Sequence, residues 1–247
     1  LGARAFVSDA GDGKGPGVTE LEAAGIAFEI GGHQPGGWDD TAAVVKSPGI
    51  PDTAPVVQTC IAQGREVISE IEYASRAHRA LGHTDPVVAV TGANGKTTTT
   101  AMIDHLLRNE GWDTDCVGNI GTSWARRLAE RVTNDEGQAQ ATVLEVSSFQ
   151  LDGTNTFRPN IGLLLNITPD HLDRYGYEMA NYAASKWRIT ASQTEADHLI
   201  YNADCEWTQR MLDQHGTSAQ LLPISAERSL DEVMRDGHGG GLAPQDH

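Results

Sequence analysis

A chain of 247 residues can fold as one large domain or as two ordinary ones, and its 39% of hydrophobic residues is enough for a packed core. Its formal net charge of −16 argues against a protein that binds nucleic acids or anionic membranes, because both need a basic surface. An anionic ligand would have to be held by local positive groups.

Cysteine usage and hydropathy narrow the class of protein further. Cys60, Cys116 and Cys205 are widely spaced and form no CxxC or metal-ligand pattern, which is typical of reduced thiols in a cytoplasmic protein. We expect neither a membrane span nor a signal peptide, and we predict a cytoplasmic location. Because the sequence starts at Leu1 with residues typical of a fold interior, we expect it to be truncated at both ends.

Short apolar runs alternate with helical segments along the first third of the chain. Strands are predicted in ARAFVSDAG, IAFEI, AAVVK and EVIS, with helices between and after them. This alternation indicates a parallel α/β sheet. The polar, turn-rich segment GHTDP at 82–86 indicates a linker, so we predict two domains, 1–82 and 83–247.

A second α/β unit is predicted after the linker. It begins with a buried strand at 87–90 and a helix at 97–109, in which Ile103, Leu106 and Leu107 form an apolar stripe. Further along we predict a helix near 122–131 and strands in ATVLEV, NIGLLLNIT and ADHLIYNAD. The predicted fold class is therefore α/β, with two domains that are each a mostly parallel sheet flanked by helices.

The turn between the strand at 87–90 and its helix has the residues that phosphate binding needs. In TGANGKTTTT, the glycines at 92 and 95 let backbone N–H groups approach an oxyanion closely, and the helix adds the positive end of its dipole. Lys96 offers a mobile positive charge for phosphate oxygens, and Thr97 offers a hydroxyl for Mg²⁺. We predict a nucleotide-phosphate site here.

One position departs from the usual phosphate-loop pattern, which has a glycine four residues before the Gly-Lys pair. That position is Val90, so the turn is the shorter form G-x-x-G-K-T. The alternative is a glycine-rich helix cap with a solvated lysine. The location of the turn, between a strand and an amphipathic helix, favours phosphate binding.

Three charged side chains downstream are further candidates. Glu145 ends an apolar strand, where a carboxylate is costly unless it meets a cation such as Mg²⁺; the alternative is a satisfied strand-end glutamate. Asp170, His171 and Asp173 follow another apolar strand, where they suit metal or substrate contacts or form a helix cap with a surface histidine. The surroundings of Lys186 by themselves predict a solvated lysine.

Together these segments resemble the Mur ligase family, whose members are ATP-dependent amide-forming enzymes of peptidoglycan synthesis. The resemblance is weak before residue 83 and strong from 87 to about 203. It is carried by VTGANGKTTTT, GNIG at 118–121, EVSSFQL at 145–151, NITPDHLDRYG at 166–176 and NYAASKWRI. It implies a Rossmann-like UDP-binding domain followed by a central domain similar to phosphate-loop ATPases, and a C-terminal domain beyond this chain.

The resemblance also implies which residues form the site. ATP would be bound by Gly92, Ala93, Asn94, Gly95, Lys96, Thr97 and Thr98. Two Mg²⁺ ions would be held by Thr97, Glu145, His171 and Lys186, the last of which matches the carbamylated lysine of the family. The catalytic set is then Lys96, Glu145, His171 and Lys186.

Substrate contacts are implied for both domains. The muramoyl substrate would meet Asn119, Ser147, Gln150 and His171, and its UDP part would meet Asp9, Ser47 and Gly49. Within the family, EVSSFQL and DHLDRYG are most similar to the members that add D-glutamate. The implied partners are ATP, UDP-N-acetylmuramoyl-L-alanine and D-glutamate, acting on a monomer.

The reaction implied by the resemblance is amide formation through an acyl phosphate. We expect weak or absent ligase activity from these 247 residues alone, because the family places adenine and D-glutamate contacts in the C-terminal domain. Two alternatives remain open. One is a relative that adds another amino acid, or that extends folate with glutamate; the other is a non-catalytic fragment that binds a nucleotide sugar.

Overall fold

The computed structural model describes residues 4–14, 16–33, 41–229 and 232. The chain divides into two compact units, one from residues 1–44 and 51–67 and the other from residues 45–50 and 68–247. Both contain parallel strands and helices, so the predicted α/β class is confirmed. The predicted limits of the functional domains, 1–82 and 83–247, stay a prediction, and the helix that precedes residue 82 belongs to the second unit, where it packs on another helix of that unit.

The N-terminal part contains two small sheets. Strands β1 and β2 pair in parallel, with Phe6 opposite Ala27 and Asp9 opposite Ile30, and β3 pairs with β4. The elements are β1 (Phe6–Asp9), α1 (Pro16–Ala23), β2 (Ala27–Ile30), β3 (Ala43–Lys46), α2 (Pro55–Ala62) and β4 (Glu66–Ser69).

A six-stranded parallel sheet forms the centre of the second unit, in the order β10-β9-β8-β5-β7-β6. Because all strands run the same way, the residues that follow them meet at one edge of the sheet. The strands are β5 (Val87–Thr91), β6 (Thr114–Gly118), β7 (Ala141–Glu145), β8 (Ile161–Leu164), β9 (His198–Asn202) and β10 (Gln220–Ile224). The helices are α3 (Glu70–Ala80), α4 (Lys96–Asn109), α5 (Trp124–Asn134), α6 (Ser148–Asp152), α7 (Met179–Trp187) and α8 (Glu206–His215).

Strands β5 and β7 are buried along their whole length, as expected for central parallel strands covered on both faces. The predicted apolar stripe on α4 is wrong at one position. Ile103 packs against Val88, Val90 and Leu163, but the side chain of Leu106 is 57% exposed. None of the helices in the described ranges is both long and apolar enough to cross a lipid bilayer.

A buried carboxylate joins α3 to the loop after α6. The side chain of Glu72 is fully buried, and its Oε2 accepts backbone N–H bonds from Asn155, Thr156 and Phe157, each at 2.9 Å. Its Oε1 accepts from the Thr156 hydroxyl and from Arg76 Nε, both at 2.7 Å. Burial by itself raises the pKa of Glu72, but these hydrogen bonds outweigh burial and lower it to about 2.

Candidate active site

The glycine turn lies at the carboxyl edge of the central sheet, between β5 and α4. Gly95 has a left-handed backbone (φ 83°) that suits glycine, and no side chain caps the N-terminus of α4. The first N–H groups of this 14-residue helix are therefore available to an anion, and its dipole favours negative charge. The structure thus provides the local positive potential that an acidic chain needs to hold a phosphate.

Asn166, for which no role was predicted, follows the neighbouring strand β8 and stabilises this turn through hydrogen bonds. Its side chain accepts a hydrogen bond from Asn94 N at 2.9 Å and donates to Asn94 O at 3.0 Å. Its backbone carbonyl accepts from Ala93 N at 2.9 Å. The available signal was a polar residue directly after an apolar strand, but sequence alone does not say that β8 lies beside β5.

Two lysines share one acceptor at the turn. Lys96 Nζ donates to the carbonyls of Gly92 and Ala93, each at 3.0 Å, and Lys186 Nζ donates to the same Gly92 carbonyl at 2.8 Å. Lys186 is 2% exposed, so the solvated lysine that its surroundings predict is wrong. Within the described ranges, no carboxylate forms an ion pair with it.

The protonation of Lys186 is strongly perturbed. Burial is the main cause that lowers its pKa from 10.5 to about 7, and the charge of Lys96 lowers it further, while Asp170 and Asp152 oppose the shift. The Tyr182 ring lies 4.7 Å from Nζ. Near neutral pH a large fraction of this amine is therefore uncharged.

Glu145, the last residue of β7, joins three segments of the predicted site. It is 1% exposed; its Oε2 accepts from the Thr97 hydroxyl at 2.8 Å, and its Oε1 accepts from Asn119 Nδ2 at 2.9 Å. Gly118 lets β6 approach this residue, because a Cβ there would lie 2.3 Å from the Glu145 carbonyl oxygen. Thr97, Asn119 and Glu145 thus converge from three different strand ends.

This donor set suits a hard divalent cation. Both oxygens of Glu145 are bonded only by neutral groups, and among the residues described no lysine, arginine or histidine forms an ion pair with it. A buried carboxylate without a cationic partner is costly, and Mg²⁺ prefers carboxylate and hydroxyl oxygens. Glu145 and Thr97 therefore fit the predicted magnesium ligands.

His171 is an exposed member of the predicted site. Its backbone is left-handed (φ 49°), its side chain is 61% exposed, and its Nε2 lies 3.6 Å from Asp170 Oδ1. Its ring lies 5.4 Å from that of Phe149. In the described part of the chain, no hydrogen bond or ion pair joins it to Glu145 or Lys186, so its metal and substrate roles stay predictions.

The predicted substrate residues Ser147 and Gln150 bond with each other. The Ser147 hydroxyl accepts from Gln150 N at 3.3 Å, and Gln150 Oε1 accepts from Ser147 N at 3.0 Å, which is a capping box at the start of α6. These bonds give the pair a structural role whatever it binds. Asp9, in the other unit, accepts from Gly11 N at 2.6 Å.

Arg174 is a second residue without a predicted role. Its guanidinium donates to the carbonyls of Pro48 and Gly49 at 3.2 and 3.3 Å, so it holds the turn that contains the predicted residues Ser47 and Gly49. It also lies 4.3 Å above the Phe149 ring. Arginine in DHLDRYG was visible in the sequence, but nothing there indicated that it would bond to residues so far back along the chain.

Residues 90–236, more than half of the chain, match the Mur ligase middle domain. The chain belongs to the Mur ligase family. The segment that matches contains the glycine turn, Glu145 and Lys186, and Mur ligases in general use ATP and Mg²⁺.

Curated relatives extend the similarity into the N-terminal part of this family member. UDP-N-acetylmuramoylalanine–D-glutamate ligase of Christiangramia forsetii is 42% identical over 226 residues, which are 92% of this chain and 48% of that protein. The protein of the same name from Bacteroides fragilis is 44% identical over 222 residues, 90% of this chain and 47% of that one. The chain thus spans about half the length of the curated relatives it matches.

Solved structures show the same fold. The UDP-N-acetylmuramate:L-alanyl-gamma-D-glutamyl-meso-diaminopimelate ligase of Neisseria meningitides has a TM-score of 0.56 at 20% identity, over 87% of this chain and 69% of that one. A murein peptide ligase from Psychrobacter arcticus has a TM-score of 0.52 at 19% identity, over 88% of this chain and 47% of that one. At these identities the likeness concerns the fold alone.

Proposed function

We propose that this chain is the UDP-substrate-binding and ATP-binding part of a cytoplasmic, monomeric ligase that joins UDP-N-acetylmuramoyl-L-alanine to D-glutamate in peptidoglycan precursor synthesis. The observation that carries the proposal is the convergence of Thr97, Asn119 and Glu145 beside an uncapped helix N-terminus and two lysines. The choice of D-glutamate is supported by curated relatives of that name at 41–44% identity over about 90% of the chain.

The glycine turn would bind the phosphates of ATP. The N–H groups at the start of α4 have no side-chain cap, and Lys96 is half-buried with two backbone carbonyls as its hydrogen-bond partners among the described residues. An ammonium can leave neutral carbonyls for phosphate oxygens, because charge-assisted hydrogen bonds are the stronger ones. Lys96 would therefore stay hydrogen-bonded to the phosphoryl group while this group is transferred.

Mg²⁺ would be held by Thr97 and Glu145, with His171 and Lys186 as further proposed ligands for a second ion. When bound, Mg²⁺ supplies positive charge to phosphate and carboxylate oxygens. Asn119 would keep Glu145 oriented through its bond to Oε1. This orientation matters because Glu145 must present a lone pair toward the site and still stay buried.

The reaction that we propose needs no side-chain nucleophile. The alanyl carboxylate oxygen attacks the γ-phosphorus of ATP, the bond to ADP breaks, and an acyl phosphate forms. The amine of D-glutamate then attacks the acyl carbon, phosphate leaves, and the amine loses a proton. Two anions must meet in the first step, so the positive charge of Lys96 and the N-terminus of α4 would contribute the main catalytic effect from this chain.

Lys186 is proposed to react with CO₂. A neutral amine attacks the carbon of CO₂, a C–N bond forms, and the nitrogen loses a proton, which leaves an anionic carbamate. The low pKa of Lys186, about 7, supports this step because the uncharged amine is the reactive form. The product would offer two oxygen ligands to Mg²⁺.

Carbon-13 NMR with labelled bicarbonate can detect this carbamate directly. We expect one slow-exchanging carbamate resonance above pH 7, because the Lys186 amine is then neutral, and loss of the resonance as the pH falls below that value. Lys186→Arg should remove the signal. Lys14→Arg, at a lysine whose side chain is 84% exposed, should keep it. A signal that survives Lys186→Arg would assign the modification elsewhere.

The ligase itself is tested by the release of phosphate from ATP in the protein that contains this chain. With UDP-N-acetylmuramoyl-L-alanine present, we expect D-glutamate to stimulate release and other amino acids, or folate with glutamate, to fail. Stimulation by a different amino acid would replace the proposed substrate. Calorimetric binding of both nucleotides without any release would instead indicate a non-catalytic nucleotide-sugar-binding protein.

A further inference from the structure

Two histidines and an aspartate come together away from the glycine turn. His78 lies near the end of α3, and His83 and Asp85 lie in the segment that leads to β5. One potential ligand atom from each of the three lies within 4.8 Å of the other two. His78 and Asp85 are 6% and 7% exposed, and His78 Nε2 lies 2.7 Å from Asp85 Oδ1.

Neighbouring side chains fix the positions of His78 and Asp85, whereas His83 can move. Asp85 Oδ2 accepts from the Thr142 hydroxyl at 2.8 Å, and the His78 ring lies 5.5 Å from that of Trp124. His83 is half-buried and touches His78 edge-on at 5.1 Å between ring centres. In the part of the chain that the structure describes, the His83 ring makes no hydrogen bond.

We propose that His78, His83 and Asp85 form a binding site for one divalent transition-metal ion of the zinc class. Two imidazoles and one carboxylate are ligands that zinc accepts, whereas Mg²⁺ prefers a set made of oxygens alone. The site therefore differs in chemistry from the cluster around Glu145, and it does not depend on the proposed ligase function.

The geometry needs two small adjustments. Ligand atoms of a tetrahedral zinc ion stand about 3.3 Å apart, given bonds of about 2.0–2.1 Å. His78 Nε2 and Asp85 Oδ1 are 2.7 Å apart and would separate by about 0.6 Å, and the ring of His83 would move inward. Because His83 is half-buried, a water molecule can take the fourth position from the solvent side.

Charge at the site also suits a cation. The Asp85 carboxylate is buried, and its Oδ1 lies at hydrogen-bond distance from His78 Nε2, a contact that the metal would replace. The nearby Arg131 guanidinium is already neutralised by Asp113 and Asp115, with N–O distances of 2.7–2.9 Å. The bound ion would link the end of α3 to the residues that precede β5.

Cobalt titration of the tag-free, metal-stripped full chain tests the site, because Co²⁺ replaces Zn²⁺ and gives visible absorption that depends on its ligands. With excess Mg²⁺ present to occupy the oxygen cluster, we expect one equivalent of Co²⁺ to bind and Zn²⁺ to displace it. His83→Asn should weaken binding by at least about 10-fold. His105→Asn, at an exposed histidine that bonds Asn109, should bind as the wild type does.

A second measurement separates lost ligation from lost folding. The melting temperature of the metal-free wild type and of His83→Asn should agree, and added Zn²⁺ should raise only that of the wild type. Asp85→Asn should behave as His83→Asn does in the titration. Absent binding, or binding that His83→Asn and His105→Asn weaken equally, would overturn the proposal.

Discussion

Lys96→Ala is expected to remove ATP binding and hydrolysis while the fold survives. Lys96 is the mobile positive charge at the glycine turn, and its partners are two backbone carbonyls. Losing one preorganised charged donor costs on the order of 100- to 1,000-fold in turnover. The Gly92 carbonyl keeps its hydrogen bond from Lys186, and the carbonyl of the buried Ala93 loses that of Lys96, which costs about 1–3 kcal/mol of unfolding free energy.

Calorimetry with ATP and Mg²⁺, beside a thermal melt, checks both halves of this prediction. Lys14→Ala is the matched control, since it removes the same charge from a side chain that is 84% exposed. In the Lys96→Ala variant the pKa of Lys186 should also rise, because a neighbouring like charge that lowers it has been removed. Unchanged ATP affinity and turnover in Lys96→Ala would show that the glycine turn is not the phosphate site.

Glu72→Ala is expected to destabilise the second unit by about 3–5 kcal/mol, the usual cost of breaking a buried charged network. The substitution removes the acceptor of three backbone hydrogen bonds from residues 155–157 and the 2.7 Å ion pair with Arg76. Denaturant unfolding measures the loss. Glu130→Gln is the control, because its pair with Arg126 is largely exposed and contributes at most about 1 kcal/mol.

The lowered pKa of Glu72 also predicts how the free energy of unfolding depends on pH. The folded pKa of Glu72 is lowered from 4.5 to about 2, so its contribution is fully present above 4.5 and is lost as the pH falls toward 2. The wild type should therefore lose stability over this range, and Glu72→Gln should show a flatter acid profile. Identical acid profiles for the two proteins would contradict the assignment.

The sequence was most informative where burial and strand position act together. The apolar runs of β5 and β7 predict central strands, and both are buried throughout. Because parallel strands end at one edge of a sheet, the sequence also predicted that Glu145 lies near the glycine turn. The contact between Glu145 and Thr97 at 2.8 Å has the geometry that this reasoning expects.

The burial of some side chains and several long-range hydrogen bonds depend on tertiary packing, which local sequence patterns do not predict. Periodicity placed Leu106 in the apolar stripe of α4, but the helix buries a narrower face and leaves this side chain 57% exposed. The burial of Lys186 and the braces from Asn166 and Arg174 arise from segments that are distant along the chain. Propensity and spacing cannot specify such contacts, because the strand order decides which segments become neighbours.

The carbonyl of Gly92 accepts hydrogen bonds from the Nζ atoms of both Lys96 and Lys186. The charge of Lys96 lowers the pKa of Lys186, so the two sites are coupled electrostatically. Under the proposed chemistry, carbon dioxide uptake at Lys186 and nucleotide capture by Lys96 then change each other's equilibrium by the same factor. The proximity of the two lysines at this carbonyl would thereby make the affinity of the chain for ATP sensitive to dissolved bicarbonate.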